Sequence, residues 1–238
     1  MKVVILAAGL GERLRPVTNT IPKVMVTINS KPFLEYSIKS LKSAGLKDLI
    51  VIVGYKREQI MKYFGDGKKY GVNIEYIDQG QPLGTGNAIL IAREKLSGDF
   101  AVCYGDSIIP SDDIKKTVRK FNGGNLDSII GVGKYSKEAL TSLGNVIIKD
   151  DKVVDIIEKP PVDKVVGNAG FAGFGIFKQI LFGYLENLPR RFAGQDGLPD
   201  AIRLMANDRK NVGVMFTNRI HLTRKEDIET ISREVQRL

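Results

Sequence analysis

Two glycines, two arginines and a lysine near the start of the chain form a pattern that is suited to binding phosphate. Residues 7–15 read AAGLGERLR, and a lysine, Lys23, follows Pro22. Small residues let a ligand approach the backbone, and glycine permits positive φ, so that successive N–H groups can point at an anion. Arginine supplies a planar fork of donors and lysine a mobile point charge. The segment predicts a phosphate-binding loop with Arg13 and Lys23 as catalytic cations.

Two common nucleotide-binding motifs do not fit this loop, which follows the apolar residues 3–6 (VVIL). The Walker motif G-x-x-x-x-G-K-[ST] is absent, and the dinucleotide fingerprint needs a third glycine where Leu14 stands. The loop therefore binds phosphate in some other arrangement.

A second cluster, residues 78–88, reads DQGQPLGTGNA and precedes a predicted helix. Glutamine presents a donor and an acceptor side by side, which complements the imide edge of uracil or thymine. The cluster therefore predicts a base-binding loop in which Gln79 reads a pyrimidine.

A third cluster is the carboxylate Asp106, which follows Tyr104, Gly105 and the apolar residues 100–103. A carboxylate at the end of a central strand, next to a phosphate site, is the expected anchor for Mg²⁺, which takes oxygen ligands and bridges substrate phosphates. We therefore predict that Asp106 is a metal ligand and the third catalytic residue.

Together these motifs resemble those of the sugar-1-phosphate nucleotidylyltransferases over nearly the whole chain. The family signature G-x-G-x-R-L, followed by P-K, matches residues 9–14 and 22–23, and the family motif Q-x4-G-[TL] matches residues 79–85. The G-T-G form at 84–86 weakly favours UTP over dTTP. The resemblance implies that the nucleotide contacts Leu6, Ala7, Ala8, Gly9, Gly11, Glu12, Arg13, Lys23, Gln79, Pro82, Leu83, Gly84 and Thr85.

The resemblance also implies a sugar site, through the family pattern G…E-K-P…N. It places the sugar against Tyr104, Gly105, Gly144, Glu158, Lys159 and Asn168. A carboxylate and an amide suit sugar hydroxyls, and a lysine can hold the sugar phosphate. The register of the asparagine stays open, because aligning residues 171–177 with the family strand shifts the match by three residues.

The C-terminal segment departs from the family pattern W-x-D-x-x-T-x-E-D, whose aspartate is the second metal ligand. Residues 216–227 read FTNRIHLTRKED. Anchoring on Glu226 and Asp227 puts His221 at the aspartate position, whereas anchoring on Asn218 and the arginine after it puts Asn218 or Thr217 there. The second ligand is left open between Asn218 and His221, and His221 can also be a structural histidine.

Alternating apolar runs and helical patterns predict the fold class. We expect an α/β, Rossmann-like three-layer sandwich with a mostly parallel central sheet, helices on both faces and added antiparallel strands. It forms a single domain over 1–238, with a nucleotide-binding part at about 1–110 and a sugar-binding part at about 111–238. The predicted strands are 3–6, 49–53, 72–77, 100–104, 128–132, 144–149, 152–158, 171–177 and 212–216, and the later helices are 178–187, 198–207 and 225–237.

Composition indicates a cytoplasmic enzyme with small anionic substrates. The net charge of +9 is spread along the chain without a basic block or interleaved aromatics, so we expect no nucleic-acid partner. No apolar run reaches the roughly 18 residues that a membrane span needs, and the first strand starts directly after Met1 and Lys2. The single cysteine, Cys103, is expected to be buried and reduced, and one histidine excludes a His-rich zinc site.

The function predicted from these motifs is Mg²⁺-dependent transfer of a nucleotidyl group from UTP or dTTP to a hexose 1-phosphate of the glucose or N-acetylglucosamine type. One alternative is a CTP-dependent cytidylyltransferase that acts on another phosphorylated alcohol. The other is a regulator that binds a nucleotide sugar without turnover, which the unclear second metal ligand would favour. A homo-oligomer is compatible with all three.

Overall fold

The structure is a computed structural model that describes residues 1–188 and 197–237. Its strands are β1 (Lys2–Leu6), β2 (Thr27–Ile28), β3 (Lys31–Pro32), β4 (Asp48–Val53), β5 (Asn73–Asp78), β6 (Phe100–Tyr104), β7 (Ser107–Ile108), β8 (Ser128–Lys134), β9 (Gly144–Lys149), β10 (Lys152–Glu158), β11 (Ala169–Phe177), β12 (Val212–Phe216) and β13 (Ile220–His221). Its α-helices are α1 (Phe33–Ser43), α2 (Arg57–Phe64), α3 (Gly84–Leu90), α4 (Ser111–Gly123), α5 (Lys137–Leu140), α6 (Leu181–Glu186), α7 (Leu198–Asn207) and α8 (Asp227–Glu234).

The central sheet is mixed rather than mostly parallel in its pairings. Its nine strands follow the order β5-β4-β1-β6-β11-β8-β12-β10-β9. The first four are parallel to one another, as are β8 and β12. The strand β11 lies antiparallel between β6 and β8, and β10 lies antiparallel between β12 and β9. The prediction of a parallel sheet therefore holds for the N-terminal half, and β11 and β10 make the other half mixed.

Helices cover both faces of the sheet, as predicted. Successive side chains of a strand point to opposite faces, and in β1 Val3 and Ile5 pack on one side while Val4 packs on the other. The side of Val3 is covered by α1, α2 and α4, and the side of Val4 by α3, α6 and α7. All three of these side chains are fully buried, which explains why the strand is apolar throughout.

A third apolar cluster packs the C-terminal segment against the loop that follows β1. It contains Leu14 from that loop, Ile108 of β7, Leu222 just after β13 and Ile231 of α8. The two-residue strand β13 pairs with β7, so that His221 lies opposite Ser107. Burial of these side chains holds the tail next to the end of β6.

Three further expectations from the sequence concern the single cysteine, membrane-spanning helices and the division of the chain near residue 110. Cys103 is a free, buried thiol whose pKa is raised by burial to about 12. In the part of the chain that the structure describes, no helix combines the length and the apolar character that crossing a bilayer would need. The division near residue 110 stays a prediction.

Candidate active site

The carboxyl ends of β1 and β6 meet, because these two parallel strands are neighbours in the sheet. The backbone N–H of Gly105 donates to the carbonyl of Leu6 at 2.9 Å. A Cβ at Gly105 would lie 2.8 Å from that carbonyl oxygen, so only glycine allows this approach. The contact sets Asp106 beside the phosphate-binding loop.

Asp106 is the centre of a charged cluster. Its Oδ2 lies 2.6 Å from Nζ of Lys23 and 3.3 Å from Nε2 of His221. Its Oδ1 accepts from the hydroxyl of Ser107 at 3.3 Å and lies 3.9 Å from Nη2 of Arg219. The pairing of β13 with β7 brings the two C-terminal side chains to this carboxylate. Residues from both ends of the chain therefore surround Asp106.

The cluster favours an ionised carboxylate and a neutral imidazole. Burial acts to raise the pKa of Asp106, but the charge of Lys23, the contact with His221 and the charge of Arg219 outweigh it and hold the pKa well below its usual range. Burial lowers the pKa of His221, and the nearby cations add to this although Asp106 opposes it. Nδ1 of His221 lies 2.9 Å from the hydroxyl of Thr223, which fixes the ring. Nε2 therefore faces Asp106 on a ring that favours the uncharged form.

Two adjoining cavities meet at Asp106. One cavity, of about 270 Å³, is lined by residues from both the predicted nucleotide contacts and the predicted sugar contacts. These residues are Arg13, Lys23, Gly84, Thr85, Tyr104, Asp106, Gly144, Glu158 and Lys159. The other, of about 300 Å³, is lined by Leu6, Ala8, Gly9, Gln79 and Pro82 and shares Gly84, Thr85, Tyr104 and Asp106 with the first. The cleft thus has one end at the predicted base-binding loop and the other at the predicted sugar contacts.

The base-binding loop is tied to the structure around it. The amide of Gln79 donates to the carbonyl of Gly84 at 2.9 Å, which closes the loop and leaves its Oε1 as an acceptor. The hydroxyl of Thr85 accepts from the backbone N–H of Leu198 at 2.9 Å. These bonds fix the direction in which Gln79 faces the cavity.

At the other end of the cleft, Glu158 and Lys159 form an ion pair in which Nζ and Oε1 are 3.4 Å apart. Burial raises the pKa of Glu158, and Lys159 opposes this only in part. Asn145, which is fully buried beside Gly144, bonds the backbone of Val166 and Ala169. Its amide therefore holds the wall of the cavity.

Sequence comparison assigns the chain to a family. A family model described as "Nucleotidyl transferase" matches residues 2–220. The chain belongs to the nucleotidyl transferase family. The resemblance to the sugar-1-phosphate enzymes of this family is confirmed by the relatives.

The relatives of this nucleotidyl transferase chain include proteins of Haloferax and Methanococcus. The low-salt glycan biosynthesis nucleotidyltransferase Agl11 of Haloferax volcanii is 36% identical over 212 residues, which cover 87% of this chain and 58% of that protein. The bifunctional protein GlmU of Methanococcus maripaludis is 36% identical over 214 residues, which cover 90% and 49%. The chain thus spans only about half the length of these relatives. The UTP–glucose-1-phosphate uridylyltransferase AglF of H. volcanii is 29% identical over 213 residues, covering 89% of this chain and 86% of AglF.

Solved structures of nucleotidyl transferases share the fold. A UDP-glucose pyrophosphorylase complexed with UDP-glucose superposes with a TM-score of 0.86 at 22% identity, covering 99% of this chain and 98% of that one. A putative glucose-1-phosphate thymidylyltransferase from Bacillus anthracis gives 0.88 at 21% identity, covering 100% and 96%. The α/β, Rossmann-like fold class is thereby confirmed.

Several residues predicted to bind ligands lie away from the two cavities. Asn168 is exposed and does not line the sugar end, whereas Phe171, three residues further on, does. The register of the asparagine stays open. Asn218 lines a separate cavity next to Asp113, so His221 is the candidate second ligand that lies beside Asp106. The remaining predicted residues outside the lining of both cavities are Ala7, Gly11, Glu12, Leu83 and Gly105.

Arg219 is the charged cavity residue that sequence reasoning overlooked. It lies two positions before His221, so an extended tail would turn both side chains to the same side. This alternation was the signal that could have identified it.

Gly11 has an indirect role in the site. Its φ is +67°, and a Cβ there would lie 2.9 Å from Cβ of Lys23. We expect Gly11→Ala to lower the free energy of unfolding by about 1–2 kcal/mol, because an L side chain is strained in this conformation. Displacement of Lys23 should also lower turnover. Urea unfolding monitored by circular dichroism measures the first effect.

Gly9→Ala is the matched control for Gly11→Ala. Gly9 has no positive φ, and an added Cβ would meet no atom within 4 Å. Its unfolding midpoint should match that of the parent. Equal midpoints for both variants would contradict the role of Gly11.

Proposed function

We propose that this chain is a sugar-1-phosphate nucleotidylyltransferase. It would join a hexose 1-phosphate of the glucose or N-acetylglucosamine type to UTP or dTTP, giving a nucleoside diphosphate sugar and pyrophosphate. The observation that carries the proposal is the meeting of two cavities at Asp106, one at the loop of Gln79 and the other at Gly144 and Glu158. The names of the relatives, which include a UTP–glucose-1-phosphate uridylyltransferase, support the same substrates.

The reaction would be a direct displacement. The phosphate of the sugar attacks the α-phosphorus of the nucleoside triphosphate in line, a new P–O bond forms, and the bond to the leaving pyrophosphate breaks. Such chemistry depends mainly on positioning and on neutralising the charge of the transition state. Arg13 and Lys23, which line the cavity at this junction, are the residues that we assign to charge neutralisation.

The donor set at the junction fits a divalent cation of the Mg²⁺ type. Mg²⁺ is commonly held by one or two carboxylates together with substrate phosphates, and Asp106 is an ionised carboxylate between the two cavities. Of the two candidate second ligands, His221 is the one beside Asp106, with Nε2 3.3 Å from Oδ2, although a nitrogen suits Mg²⁺ less well than an oxygen. Among residues 1–188 and 197–237 no group of three or more His, Cys, Asp and Glu could hold a metal alone, so substrate phosphates must complete the site. When bound, the ion would neutralise phosphate charge and help to orient the reacting groups.

Base choice is predicted to depend on Gln79. Its free Oε1 can accept from the N3–H that uracil and thymine share and that cytosine lacks. UTP and dTTP should therefore exceed CTP in kcat/KM by a factor that corresponds to about 1–3 kcal/mol. Gln79→Ala should flatten this preference, as measured by kcat/KM for each triphosphate.

The control for Gln79→Ala is Gln81→Ala, at an exposed residue of the same loop that lines neither cavity. This variant should keep the preference. Equal kcat/KM for CTP and UTP in the parent protein would defeat the assignment of Gln79.

A pyrophosphate-release assay with a panel of substrates tests the proposed function. We expect release with UTP or dTTP together with glucose 1-phosphate or N-acetylglucosamine 1-phosphate. Release with CTP and phosphocholine or an inositol phosphate would instead identify a cytidylyltransferase. Binding of a UDP-sugar without release under any combination would identify a regulator.

A further inference from the structure

Arg219 is a buried arginine whose side chain lines the cavity at the predicted sugar end of the cleft. Its side chain is only 4% exposed. Nε donates to the hydroxyl of Ser107 at 2.9 Å, and Nη1 donates to the carbonyl of Phe171 at 3.4 Å. These two bonds hold the plane of the guanidinium against the wall formed by β7 and β11.

The guanidinium retains donors that the protein does not use. It carries five N–H groups, of which Ser107 and Phe171 take one each. Nη2 lies 3.9 Å from Oδ1 of Asp106, beyond hydrogen-bond distance, and it has no hydrogen-bond partner within the described ranges. Because Arg219 lines the cavity, a ligand oxygen there can accept a charge-assisted hydrogen bond from these remaining donors.

The charges around Arg219 are also out of balance. Asp106 is the carboxylate nearest to Arg219, and Lys23 already contacts it at 2.6 Å. On the far wall, Glu158 is paired with Lys159. The buried Arg219 and the partly exposed Lys23 therefore share one carboxylate, and an anion would restore the balance.

The position of Arg219 indicates which anion this is. Arg219 lines the cavity that contains Gly144, Glu158 and Phe171, and it does not line the cavity of Gln79 and Gly9. Arg13 and Lys23 line the same cavity, but the bond to Phe171 holds Arg219 against the wall of the predicted sugar end, which favours the phosphate of the acceptor over the triphosphate of the donor. We propose that Arg219 binds the phosphate of the sugar 1-phosphate and holds this nucleophile beside Asp106. The proposal rests on the proposed function.

Isothermal titration calorimetry on Arg219→Gln tests this role without turnover. The probes are UTP and whichever of glucose 1-phosphate and N-acetylglucosamine 1-phosphate the parent protein converts. Losing a charge-assisted hydrogen bond should raise the Kd of the sugar phosphate about tenfold or more, while the Kd of UTP should stay within about threefold. The KM values in the pyrophosphate-release assay should separate in the same way.

Two further variants control the experiment. Arg224→Gln removes an exposed arginine of the same C-terminal segment and should leave both Kd values unchanged. Arg219→Lys keeps the charge but loses the planar fork of donors, so the Kd of the sugar phosphate should rise less than in Arg219→Gln. If Arg219→Gln does not fold, Arg219→Lys replaces it in the test. An unchanged Kd for the sugar phosphate, or an equal loss for both probes, would overturn the proposal. A parent protein that converts neither sugar phosphate would instead overturn the proposed function.

Discussion

Asp106→Asn is expected to lower kcat by about 10³-fold or more while UTP affinity changes far less. The substitution keeps the shape of the side chain but removes the charge that pairs with Lys23 and that would hold the metal. Both effects act on the reacting phosphates rather than on the base. Pyrophosphate release measures kcat, and isothermal titration calorimetry measures the affinity for UTP.

The control for this variant is Asp112→Asn, an exposed carboxylate at the start of α4 that is paired only with Lys115 in the part of the chain described. The kcat of Asp112→Asn and its affinity for UTP should match those of the parent protein. EDTA should reproduce the loss in the parent protein, and added Mg²⁺ should restore activity. Full activity in EDTA would contradict a metal-dependent mechanism.

Lys23→Ala should lower kcat by roughly 10²–10³, the scale on which a preorganised electrostatic contact contributes. Nζ of Lys23 lies at the junction of the two cavities, held by Asp106 at 2.6 Å. The loss should appear in kcat more than in the KM for UTP, because charge builds up in the transition state. Arg13→Ala should have a similar effect, and steady-state kinetics measures both.

Arg15→Ala is the matched control, since Arg15 is an exposed cation of the same loop that lines neither cavity. Its turnover should be close to that of the parent. Near-normal turnover in Lys23→Ala would remove Lys23 from the catalytic residues.

The strands were predictable because burial on both faces makes them continuous apolar runs. β6 and β12 have the predicted bounds, and β1 and β4 begin one residue earlier than predicted. The hairpin of β9 and β10 also has its predicted bounds, because Asp150 and Asp151 both adopt positive φ in the two-residue turn between them. The loops that follow β1, β5 and β6 were predictable for a similar reason, since their chemistry is local in sequence.

Features that depend on distant contacts were not predictable. Nothing local to residues 169–177 shows that β11 lies antiparallel between β6 and β8. The sequence gives no clear signal for helix α2, because only Ile60 and Phe64 of its residues are buried, too few for a clear period. The alternation of Arg219 with His221 is visible in the sequence, but its place beside Asp106 depends on the pairing of β13 with β7.

Direct transfer between two substrates that meet at Asp106 can be followed by ³¹P NMR of the complete reaction. With UTP, Mg²⁺ and the accepted sugar 1-phosphate, direct transfer predicts equal amounts of pyrophosphate and of a UDP-sugar with two coupled phosphorus resonances. It also predicts no exchange of labelled pyrophosphate into UTP when the sugar phosphate is left out. Such exchange would contradict direct transfer, and so would the formation of pyrophosphate without an equal amount of UDP-sugar.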